Sequence, residues 1–134
     1  MEITIKKEVS LEILFNLLTA AFEGGSNYWI ERAEKSKKPA KFEFVGMSGS
    51  VFIQDWPLNE GGEVTLYDTE AEDENGKQAS YKVNLETIQK GIQVMAEKYP
   101  KHFADAIDLE NGCGDADTGD VFLQCCCLGE VVYG

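Results

Sequence analysis

The sequence predicts an α+β fold, a mostly antiparallel sheet with two main helices packed on one face. Three observations point there. Leu11, Leu14, Phe15, Leu18 and Phe22 recur at helical spacing, and Leu85, Ile88, Ile92, Met95 and Tyr99 do so again later in the chain. Between these stripes, from Lys41 to Val83, apolar residues fall at period two: Phe42/Phe44, Val51/Ile53, Val64/Leu66 and Tyr81/Val83. The 134 residues suit one compact domain spanning 1–134, long enough to bury a core without disulfide staples.

In chain order, Glu2 to Lys7 alternates and predicts a short strand. Lys6 and Lys7 precede an apolar stretch, but interrupting acids and the lack of a small-x-small site argue against a signal peptide. Ser10 is placed to cap a helix over about 11–23, with Glu12 in its first turn. Gly24-Gly25 would end that helix in a left-handed turn. Arg32, Lys35, Lys37, Lys38 and Lys41 form the only basic stretch and read as a solvated loop or helix end. Three or four strands follow to Val83, with Asn75-Gly76 as a hairpin turn. Asn84 then caps the second helix, which Pro100 stops, and a helical turn is expected around His102–Ile107. Asp108 to Asp120 reads as an acidic, Gly-rich loop. Val121 to Tyr133 reads as one buried strand, or two with a turn at Leu128-Gly129-Glu130.

Composition excludes several functions. Twelve Lys and Arg face 24 Asp and Glu, a formal charge of −12. That balance opposes direct nucleic-acid binding, which needs clustered bases to neutralise phosphate. It equally opposes docking on anionic membranes, and no apolar run is long enough to span one. Cys113, Cys125, Cys126 and Cys127 lack both a disulfide pattern and paired zinc-ligand spacing, which suits a reducing cytoplasm. As a strand, Cys125 and Cys127 would face one way and Cys126 the other.

The candidate site joins two segments. Gly24-Gly25 lets backbone amides approach a ligand, Ser26 and Asn27 offer polar handles, and Tyr28 and Trp29 offer stacking faces. Arg32 is the phosphate partner within reach. Asp117, Thr118, Asp120 and Gln124 would line the other side. The alternating Asp115, Asp117 and Asp120 resemble a calcium loop, but Cys125 stands where its bidentate Glu belongs, so no metal is assigned. No catalytic residue and no cofactor is assigned either. The single histidine, His102, is expected to cap a helix or face solvent.

Three stretches carry a resemblance. Phe22-Glu23-Gly24-Gly25-Ser26-Asn27-Tyr28-Trp29-Ile30, the run from Met95 to His102, and Asp115 to Gln124 with Gly129 to Gly134 resemble small phage and prophage accessory proteins. The resemblance covers both ends and the second helix, and leaves roughly 31–80 unmatched. It implies a non-catalytic accessory protein in the cytoplasm of a host bacterium, one that counters antiviral defence. The first expectation is an inhibitor gripping a host defence protein through an acidic surface. The alternatives are a sponge holding a nucleotide-like signal in a pocket near residues 24–32, or a metal-dependent or other small hydrolase. Dense acids over 60–78 and 105–120 favour the inhibitor, since an anionic nucleotide gains little from so acidic a chain.

Overall fold

The computed structural model describes residues 1–46, 53–108 and 115–134. It is an α+β fold built on a three-stranded antiparallel sheet in the order β1-β2-β3, where β1 is Ile30–Lys37, β2 is Glu63–Glu72 and β3 is Gln78–Val83. Val64, Leu66 and Val83 point from the sheet into the core and are fully buried. The opposite face is solvated: Arg32 pairs with Tyr67, and Glu34 with Thr65. The β2–β3 turn closes at Asn75-Gly76, with Gly76 in the left-handed region that such hairpins require.

Helix α1 is Leu11–Ala20, capped by the Ser10 side chain, which accepts from the Ile13 N–H at 3.3 Å. It runs on into a wide π-helical turn over Ala21–Gly25. Gly24 has φ 167°, so the chain leaves in an extended conformation and not through the expected left-handed glycine. Helix α2 is Leu85–Lys98, opened by Asn84 and Thr87 in a reciprocal capping box. Pro100 ends α2 and also starts α3, Pro100–Ala106, as a first-turn proline can.

The largest correction concerns the C-terminal run. Ala116–Leu128 is a helix, α4, not a strand, and it begins inside the stretch expected to be loop. Asp115 caps it by accepting from the Thr118 N–H at 2.9 Å, and Gly129 closes it at φ 78°. It packs against α1, α2, α3 and β3, so Val121, Phe122, Leu123 and Cys125 are all buried. A helix enclosed on nearly every side has no polar stripe to betray its period.

Three further expectations fail. Residues 2–7 form no strand, no described residue pairs with them, and Ile3 and Ile5 stay exposed. The basic stretch is β1 itself, an edge strand whose charges face water. Phe42 and Phe44 sit in irregular chain, stacked edge-to-face at 5.1 Å, while the Glu43 and Val45 N–H groups donate to Asn59 and Asp55. Val51, Glu110 and Cys113 lie outside the described residues.

Candidate functional site

The two predicted segments do meet, and Asp120 is where they meet. Its Oδ1 accepts from Ser26 Oγ at 2.8 Å and from Trp29 Nε1 at 2.7 Å. Its Oδ2 accepts from Tyr28 OH at 2.6 Å and from Gln124 Nε2 at 3.0 Å. Gln124 sits one helical turn after Asp120. Its Oε1 accepts the Val132 and Tyr133 N–H groups at 2.8 and 2.9 Å, which pins the C-terminal segment. Gly25 makes the junction possible, since any Cβ there would collide with the Ala116 carbonyl at the start of α4.

This arrangement turns the polar groups inward. Ser26, Trp29, Asp120 and Gln124 are buried and bonded to one another. Tyr28 is half exposed, and burial together with its bond to Asp120 pushes its phenol up to about 12. The remaining predicted residues do not join. Asn27 and Asp117 face solvent, as does Gly24. Thr118 is buried and shares a 2.9 Å hydrogen bond with His102 Nδ1, so His102 ties α3 to α4 instead of capping a helix end or facing solvent. Arg32 lies over the Tyr67 ring at 3.7 Å and pairs with Glu34 at 3.1 Å, which holds its guanidinium above its ordinary value.

A second buried carboxylate escaped the sequence reading. Asp68 Oδ2 accepts from Tyr81 OH and Tyr133 OH, both at 2.8 Å, and Oδ1 accepts from the Glu70 N–H at 2.7 Å. Burial and this contact push the Tyr133 phenol up to about 12 and raise Tyr81 as well. Trp29 packs between the two rings, 6.2 Å from Tyr81 and 5.4 Å from Tyr133. Period two from Val64 and Leu66 places Asp68 on the inner face, and that signal was available in the sequence.

Open space lies elsewhere. The cleft beside Ser26 and Arg32 is about 220 Å³, below the usual range of about 300–1,000 Å³ for small-molecule sites. A wider groove of about 820 Å³ runs between the first turn of α1, residues 40–45 and residues 58–61. Its apolar lining is Leu11, Phe44 and Leu58, and its acids are Glu12, Glu43 and Glu60. Leu11 and Phe44 are each 47% exposed there.

Nothing among the described residues groups three His, Cys, Asp or Glu side chains as a metal site. The three described thiols are poor nucleophiles: desolvation pushes Cys125 up to about 11 and raises Cys126 and Cys127 as well. No helix among the described residues is long and apolar enough to cross a membrane. Comparisons with protein-family models, with curated proteins and with solved structures find no match for this chain.

Proposed function

We propose that this chain is a non-catalytic accessory protein of phage type that counters host antiviral defence by binding a defence protein through an acidic surface. The groove between α1 and residues 40–61 carries the reading. Its exposed Leu11 and Phe44 sit among Glu12, Glu43 and Glu60, with Lys41 paired to Glu43 at 3.5 Å, an apolar floor whose rim is acidic on balance. Such a surface fits a partner segment that presents basic and apolar side chains together, and the net charge of −12 steers that encounter. Exposed Glu70, Glu72, Asp73 and Glu74 on the β2–β3 hairpin extend the same sign of charge.

The sponge reading has less support. The polar side chains it needs, Ser26, Asp120 and Gln124, bond to each other, and the adjoining cleft is small. The test is plaquing efficiency of a defence-sensitive phage on strains that each carry one antiviral system, with this protein supplied from a plasmid. One strain should regain plaquing with the parent protein and lose it with Glu43→Lys/Glu60→Lys or Phe44→Ala. Relief that survives all three substitutions would remove the groove from the mechanism. A melting-temperature rise with a cyclic or ADP-ribose-type nucleotide would instead revive the sponge, since ligand at 100 times Kd adds about 2.7 kcal/mol.

A further inference from the structure

Residues 2–8 have the sequence of a strand but pair with none among the described residues, and among those residues β1 has an unpaired edge. We propose that the two belong together across a dimer, the segment of one copy adding as a fourth strand beside β1 of a second copy. This inference is independent of the function proposed above.

The segment alternates Ile3, Ile5 and Lys7 with Glu2, Thr4, Lys6 and Glu8. Ile3 and Ile5 are 73% and 78% exposed, an unusual state for two β-branched apolar residues in one short stretch. At β1, Glu31, Arg32 and Glu34 to Lys37 are all exposed, and the strand pairs on one side only, with β2. An unpaired edge of this kind is a template for strand addition.

Charge selects antiparallel pairing and a register. With Ile5 opposite Lys35, Lys6 faces Glu34 and Glu8 faces Arg32, while Glu2 falls level with Lys38. The pairs with Glu34 and Arg32 are opposite in charge and fall on the solvated face of the sheet, while Lys38 lies just past the end of β1. Ile5 then falls on the inner face, beside the half-buried Trp56 ring that already carries Lys35 Nζ at 4.7 Å, and Ile3 meets the bulged end of the strand at Lys37. The small cleft lined by Phe22, Ile30, Ala33 and Ile53 continues that apolar side toward the start of β1. Repulsion is also least here, because seven of the twelve Lys and Arg lie in residues 6–7 and 32–41.

Reach decides that the partner is a second copy. Leu11 and Glu12 share a groove with Ala40 and Lys41, beyond the C-terminal end of β1. Within one chain, Glu8 could travel only about 10 Å from Leu11. Its place opposite Arg32 lies roughly 16 Å back along the strand from Lys37. Only another molecule can supply the segment in this direction. A two-fold axis then makes the exchange reciprocal and closes the assembly at two.

Sedimentation equilibrium over a concentration series tests the proposal on the full chain. The parent should form a dimer, and Ile5→Asp should be monomeric with a nearly unchanged urea midpoint, because Ile5 is 78% exposed and only borders a shallow cleft with Ile92, Ala96 and Phe103. Lys6→Glu should weaken the dimer about tenfold, since the reversed pair occurs twice. Lys6→Glu with Glu34→Lys should restore it. A parent that is monomeric throughout, a dimer that survives Ile5→Asp, or a charge swap without rescue would each overturn the proposal.

Discussion

Asp120→Asn is the substitution that most directly tests the central network. It keeps the side-chain volume and removes one acceptor oxygen and the charge. Four neutral donors converge on the carboxylate at 2.6–3.0 Å. A carboxamide serves Ser26 and Trp29 with its single oxygen and turns its NH2 toward Tyr28 and Gln124. Tyr28 OH can reverse and accept, but Gln124 Nε2 then faces another donor. Bonds to a charged acceptor contribute about 1.5–3 kcal/mol each and neutral ones about 0.5–1.5, so the lost bond and the weakened ones act together. Relief from burying a charge offsets part of that loss, leaving a destabilisation of about 2–4 kcal/mol. Urea unfolding at constant m value reads it, with Asn27→Ala as the control at under about 0.5 kcal/mol, because Asn27 is exposed. An Asp120→Asn protein as stable as the parent would show that the network contributes nothing to holding α4 in place.

Two other outcomes follow from the titrating groups. Tyr28 and Tyr133 have folded-state values of about 12 against an ordinary 10, so the neutral phenol is favoured in the fold. Their stabilisation is complete below pH ~10 and is lost as pH rises toward about 12. The urea midpoint should fall across that window, and a spectrophotometric titration in which every tyrosine ionises near pH ~10 while the fold persists would contradict it. Cys125 is buried, Cys126 and Cys127 are partly so and all three thiols are raised, so they should react slowly with an aromatic disulfide reagent near pH ~8 until denaturant is added, and rapid native reaction of all three would refute that shielding.

The sequence made some elements legible because their signals are local. Ser10 and Asn84 cap helices through side-chain contacts three residues long, and Asn75-Gly76 needs only its own turn geometry. The α2 stripe faces the core as its spacing implies, while on α1 the buried face is Ile13, Leu14, Leu17 and Leu18, and Leu11 of the expected stripe is exposed. Val121 to Leu128 misled because an uninterrupted apolar run has the same pattern in a buried strand and a buried helix. Asp115 followed three residues later by Thr118, with Gly129 at the far end, marks the helix boundaries, and thirteen residues is long for a strand. β1 misled for the opposite reason: an edge strand with six exposed charged or polar residues carries almost no apolar alternation. For the site, the pairing of the Ser26–Trp29 segment with Asp120 and Gln124 was anticipated. What could not be read locally was that these groups satisfy one another, because that depends on contacts 91 to 94 residues apart.

The geometry of α4 explains why so much polar chemistry is placed inside. A helix packed on α1, α2, α3 and β3 buries Phe122, Leu123 and Cys125, and its Gly119 lies so close to Ala20 and Ala21 that a Cβ there would collide. Asp120 and Gln124 share one face, a single turn apart, and add directional bonds to that packing. Rotation away from the observed setting would strand the Trp29 indole N–H and the Ser26 hydroxyl, both fully enclosed, at about 1–3 kcal/mol for each unpaired donor. It would also release the Val132 and Tyr133 N–H groups from Gln124 and draw the Tyr133 hydroxyl off Asp68. The segment around Trp29, the central helix, the chain's last residues and strand β2 are therefore tied together by directional bonds as well as by apolar packing.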